Sequence, residues 1–179
     1  MKANEQNPIY APDTLEFVTV ATEFCAYLEQ SASREKTSFI ERMRKLLPLL
    51  YLKAQLLPEM EGVADFTPDD RVTQQDYDYI LHLVAAIMGD DDYYEDATFG
   101  MEMQQTEQLC WKTVSEGLAD MYQPLRNFVA AYRLGIEPCM ESALYDVRYS
   151  FIYSWGTALV DTLRRFHYLT SFNSDEDNF

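Results

Sequence analysis

The chain has 179 residues and a formal charge of −16 at neutral pH, with 47% hydrophobic and 14% aromatic residues. That size and apolar content suit a single domain with a sizeable core. The negative charge argues against general electrostatic binding of nucleic acid or anionic lipid, whose phosphates it would repel. The three cysteines, Cys25, Cys110 and Cys139, are odd in number and scattered. They suit neither a disulfide framework nor a zinc knuckle, so a reduced, cytoplasmic setting is expected.

The opening MKANEQNPIYAPDT lacks the apolar stretch of a signal peptide and reads as a cytosolic start. Pro8 and Pro12 predict an extended lead-in over 1–12. Asp13 and Glu16 have the spacing of a capping box, and Phe17, Val18, Ala21, Phe24, Cys25 and Leu28 recur at helical intervals, so a first helix is predicted over about 14–31. A second helix, about 33–57, places Phe39, Met43, Leu46, Leu50 and Leu57 on one stripe. Its second half, KLLPLLYLKAQLLP, holds seven leucines but only 12 residues from Leu46 to Leu57, with Lys53 among them. A bilayer span needs about 20 apolar residues, so no membrane is expected as a partner. Pro48 lies opposite the stripe and predicts a bend with proline on the convex side. Leu49, Leu52 and Leu56 form a second strip, expected to pack on a second neighbour.

After a loop, Thr73 and Asp76 mark the start of a third helix, with Tyr77, Ile80, Leu81, Val84, Ile87 and Met88 inward and Gly89 as the stop. Residues 90–112 show no sustained period and read as an acidic surface connection. No strand pattern or hairpin signature stands out. Thr113 and Glu116 repeat the capping spacing ahead of Leu118, Met121, Tyr122, Leu125, Phe128, Val129 and Tyr132, with Pro124 implying a kink and Gly135 the end. The last helix begins with Pro138 in its first turn and runs to about Thr170, roughly 50 Å at 1.5 Å per residue. An acidic tail, 172–179, has the composition of a disordered segment. The predicted fold is all-α: one antiparallel bundle of about five helices with a long C-terminal helix and proline-kinked second and fourth helices.

The strings KLLPLLYLKAQLLP, SEGLADMYQPLRNFVAAY and SWGTALVDTLRRFHYL together resemble a bacterial family of all-helical domains of unknown function. The resemblance runs from the first helix to His167. It implies a helical fold and no assigned activity, and it transfers no site residues.

Catalytic signatures are missing. Asp90, Asp91, Asp92, Glu95 and Asp96 in GDDDYYED invite a hard cation, but they do not follow the EF-hand spacing, so a solvated loop is the competing reading. With only His82 and His167, and Tyr79 and Arg164 three residues before them, a Glu-x-x-His di-metal bundle is excluded. No two glutamates stand three apart, unlike the Glu-x-x-Glu pairs by which all-helical nucleotide pyrophosphatases hold magnesium. Cys25 sits on an apolar stripe as a core thiol. Asp78 and His82 are one turn apart and read as a surface pair. No catalytic, metal or cofactor-binding residue is therefore assigned, and the enzyme question leans to no.

Two cations and one aromatic strip remain. Lys53 lies between the leucine strips, and Arg148 points into the face shared by Leu144, Val147, Phe151, Trp155, Ala158, Leu159 and Phe166. Such charges need a carboxylate, an escape to solvent, or an anionic ligand in a polar pocket. Tyr145, Tyr149, Tyr153, Gly156, Val160 and His167 share the adjoining side, where either another helix of the bundle or a second copy of the chain would cover them. Residues 34–53 carry a net charge of +4 from six basic and two acidic residues; residues 54–110 carry −13 from 14 acidic residues and Arg71. The leading expectation is a non-enzymatic interaction module with an acidic or tyrosine-rich face for a protein partner, a basic one on charge grounds. The competing expectation is a small-anion-binding or hydrolytic bundle with a pocket around Arg148 and Lys53.

Overall fold

The computed structural model describes residues 7–60, 71–95 and 111–172. Among the described residues six helices follow in order: α1 Pro12–Glu29, α2 Lys36–Gln55, α3 Gln74–Met88, α4 Val114–Arg133, α5 Glu137–Ser150 and α6 Gly156–Phe172. Between α3 and α4 stand two short strands, β1 Tyr93–Glu95 and β2 Trp111–Thr113, paired antiparallel with Tyr94 opposite Lys112. A π-helical turn, Phe151–Trp155, joins α5 to α6, so the predicted last helix is one rod with an inserted residue. The bundle is antiparallel, and α4 is its central member, packed against α1, α3, α5 and α6, while α2 closes on α1 and α6.

Local chemistry sets most boundaries. Thr73 accepts the Asp76 amide and Asp76 returns the bond to the Thr73 amide, completing the predicted capping box. Thr113 caps α4 through the Glu116 amide at 3.1 Å. Gly89 and Gly135 end α3 and α4 at φ of +57° and +69°, a region that side chains disfavour. The Asp13 cap does not form. Pro12 occupies the first helical turn, where its fixed φ and missing amide cost nothing, so α1 starts earlier with Ala11 as N-cap and Asp13 inside the first turn.

The lead-in also differs from expectation. Pro8–Tyr10 is a 3₁₀ turn that buries Ile9 completely, held by Thr14 Oγ1 donating to the Pro8 carbonyl and Tyr132 Oη donating to that of Ile9. Pro48 and Pro124 lie inside unbroken α2 and α4, and Pro48 faces solvent as predicted. The expected acidic surface connection over 90–112 opens with a 3₁₀ turn and contains these two strands. Residues 96–110 and the tail from 173 lie outside the described residues.

One core runs through all six helices, with Phe17, Phe24, Phe39, Phe128, Trp155 and Phe166 fully buried. Phe17 stands 5.3 Å from Phe128 and 6.4 Å from Trp155 between ring centroids. Cys25 lies in this core, where burial raises its thiol pKa far above the usual range. Cys139 is also buried and free, and Cys110 is outside the described residues. Fully burying a side chain of this size contributes about 1.5–3 kcal/mol, so these aromatics fix how α1, α2, α4 and the rod α5–α6 meet.

Candidate functional site

The π turn builds the candidate site. The Gly156 amide bonds back to the Phe151 carbonyl, five residues earlier, and a Cβ on Gly156 would collide with that oxygen and crowd the Phe151 ring. Glycine is therefore required by the turn itself, and Gly156 is buried rather than a landing place for another backbone. Trp155 swings into the core and donates from Nε1 to the Val147 carbonyl at 3.0 Å. The bulge thus keeps its polar backbone satisfied while changing the register of the rod.

Across from this turn lies the second half of α2. Tyr51 meets Phe151 edge-on at 5.3 Å, and between the two elements a groove of about 470 Å³ opens, floored by Ala54, Phe151 and Gly156 and bordered by Gln55, Ile152, Thr157 and Val160. Arg148 and Asp161 also line it, 13 positions apart along the rod. The described partner of Arg148 is Glu59 at 3.4 Å, and Glu59 is 93% exposed, so this pair is weak. Asp161 is buried and bonds Lys112 at 2.7 Å.

Lys53 does not line this groove. Its ammonium pairs with Glu16 on α1, leaving the side chain mostly covered and its charge compensated. The predicted pocket joining Lys53 and Arg148 is thus divided: Lys53 clamps α2 to α1, and Arg148 alone faces the groove. Two further cations of α2 are tied down similarly. Arg42 pairs with Glu23 at 2.6 Å and lies over the Tyr27 ring, and Lys36 pairs with Asp91 at 2.5 Å.

The second leucine strip is a larger departure. Among the described residues no helix covers Leu49, Leu52 and Leu56, which are 42%, 52% and 45% exposed. Periodicity placed them opposite the core but could not supply a neighbour. The tyrosine strip is open too: Tyr145 is half-buried, Tyr149 and Tyr153 are exposed, and their rings step from α5 into the π turn at 6.1 and 4.6 Å. Ile152, Tyr153 and Val160 add apolar surface beside the groove. Strip and groove form two sides of one face, a convergence visible only once the π turn is known.

The acidic turn behaves otherwise. In the 3₁₀ turn Gly89–Asp92, Asp92 is buried and accepts from the Ser115 amide at 2.8 Å and from Ser115 Oγ at 2.7 Å. The Asp91 carbonyl accepts from Arg165 at 3.1 Å, and its carboxylate holds Lys36. Asp90 and Glu95 are exposed, and Asp96 is outside the described residues. The carboxylates point to different partners, so the solvated-loop reading is replaced by a structural knot. Among the described residues, no three His, Cys, Asp or Glu side chains are placed to share a metal ion. His82 Nδ1 bonds the Asp78 carbonyl at 2.6 Å while the Asp78 carboxylate accepts from Gln74, so the expected His–carboxylate pair does not form.

An acidic helical bundle with an interrupted terminal rod and an open apolar groove defines a helical domain with no recognisable catalytic centre among its described residues. The chain belongs to the family described as Domain of unknown function (DUF5063), which matches residues 8–171. It is also similar to the crystal structure of protein BF1032 from Bacteroides fragilis, a structural-genomics target: 35% identity, 90% of this chain and 94% of that one covered, TM-score 0.80. No curated protein matches the chain. No helix among the described residues is long and apolar enough to cross a membrane.

Proposed function

We propose that this protein is a non-enzymatic interaction module that holds a segment of a protein partner on the face formed by α2, α5 and α6. The observation that carries this reading is the groove with exposed Ile152, Tyr153 and Val160 on one side and Tyr51 on the other. Large apolar and tyrosine side chains exposed together around a concavity mark a recognition surface better than isolated exposed residues do. The charge of −16 favours a partner with a basic rim, and it opposes a second copy of the same chain.

Capture of a partner from native cells, followed by hydrogen exchange of the recovered complex, tests this. Protection is expected over 149–160 and the C-terminal half of α2. Protection confined to α3 or α4 would sink the proposal. A second reading, a small anion held in the same groove, draws on Arg148, whose carboxylate partner is almost wholly solvated. Titration with inorganic phosphate separates the two, because a site for a small anion would saturate without any protein partner.

A further inference from the structure

Thr157 and Asp161, which line the groove, also line a second cavity of about 360 Å³. Its other walls come from α3, the two strands, α4 and the π turn, through Tyr77, Tyr94, Lys112, Glu116, Asp120 and Ser154. This volume lies in the range of small-molecule sites and far exceeds one ion. It is independent of the partner reading above, because it depends on neither the groove's apolar rim nor Arg148.

The charges in the cavity do not cancel. Lys112 and Asp161 pair at 2.7 Å and offset each other. Glu116 and Asp120 stand one turn apart on α4, a spacing at which like charges on one helix repel. Their described partners are neutral hydroxyls: Thr113 Oγ1 donates to Glu116 Oε2 at 3.0 Å, and Tyr77 Oη to Asp120 Oδ1 at 2.8 Å. The other oxygen of each carboxylate accepts no hydrogen bond from a described residue. The field is felt locally. Burial first, then the bond to Asp120, then the charges of Asp120, Glu116 and Asp78 hold the Tyr77 phenol well above the usual tyrosine range. Burial first, then the Asp161 charge, likewise raises the Tyr94 phenol. Behind Gly117, fully buried Thr162 has no hydrogen-bond partner for its Oγ1 among the described residues. Pro124, four residues on, also removes the helical amide that would pair with the Asp120 carbonyl.

We propose that this cavity binds a small organic cation, with a primary ammonium between Glu116 and Asp120 and its carbon chain against Tyr77 and Tyr94. An ammonium has three donors and no acceptor, which suits two carboxylate oxygens and one hydroxyl of Ser154 or Thr157. A bare divalent ion suits the site less well, since it demands six or more oxygens and has no use for aromatic walls.

The test is calorimetric titration of the full chain with putrescine and with spermidine, with amide NMR shifts as the map. An acidic protein attracts polyamines everywhere, so two variants of equal charge change are compared. One is E116Q/D120N, which keeps both hydroxyl partners; the other is E41Q/E59Q, at exposed positions outside the cavity. The expected result is saturable binding with shifts at Thr113, Gly117 and Thr157, at least tenfold weaker in the cavity variant and unchanged in the surface variant. Equal weakening in both, shifts spread over the acidic surface, or no saturable binding of either amine would overturn the proposal. If the cavity double variant melts early, D120N alone carries the same comparison.

Discussion

The turn at Gly89–Asp92 and the groove beside Phe151–Trp155 both interrupt regular helix, and they end with opposite polar fates. The turn carries three consecutive aspartates, yet Asp91 and Asp92 are bound to α2, α4 and α6 through Lys36, Ser115 and Arg165. The groove lies where the sequence reads as unbroken amphipathic helix, yet Arg148 has a solvated partner and Ile152 and Tyr153 face water. Density of charge therefore does not mark an available site. What marks it is whether distant elements have already satisfied the groups, and the two regions differ in this.

The sharpest way to break that comparison is to empty the knot. Asp92→Ala removes a buried acceptor of two hydrogen bonds and strands the Ser115 donors, so a loss of about 3 kcal/mol is expected in urea unfolding. A loss below about 1 kcal/mol would show that the turn is not structural. Gly156→Ala comes next. Alanine favours a helix by about 1 kcal/mol over glycine, but the Phe151 carbonyl occupies the place of the new methyl, so a net loss of about 2 kcal/mol is expected. A stabilised variant would mean the π turn relaxes to ordinary helix at no cost.

A third effect appears at high pH. Burial and their carboxylate partners, Asp120 and Glu29, raise the Tyr77 and Tyr122 phenols. A group whose pKa is higher folded than unfolded contributes stability below its unfolded value and loses it above, so stability should fall from about pH 10 upward. Tyr77→Phe should make that fall shallower, and an unchanged slope would show that this phenol is not involved. The smallest effect is expected in the groove: Arg148→Gln and Ile152→Asp should each change stability by no more than about 0.5 kcal/mol in the same urea assay, because neither is committed to the core.

Much of the frame was legible because it depends on neighbours in sequence. Thr73 with Asp76 and the glycines at 89 and 135 act within one turn and behave as their spacing implies, while Thr113 caps the Glu116 amide and the Glu116 carboxylate takes the Thr113 hydroxyl instead of closing the box. The core stripe from Leu144 to Phe166 also follows from helical period. The misses share a physical origin in long-range partners. Asp92 gave no hint of Ser115, 23 positions away, and three-residue strands are too short to show a period. Exposure of Leu49, Leu52 and Leu56 depends on whether another element covers them, which no wheel can report. In the candidate site, Arg148 and the open tyrosine strip were visible as unsolved faces. The π turn joining them was not, because Trp155 and Gly156 signal it only through a register shift.

The central claim, that the α2–α6 face is kept open for a protein partner, is tested most directly by partner recovery. Wild type and Ile152→Asp, matched for melting temperature, are used as bait in native lysate with quantitative mass spectrometry. The account predicts a stoichiometric partner with wild type that drops at least tenfold with the variant. Equal recovery of the same proteins by both baits would contradict it.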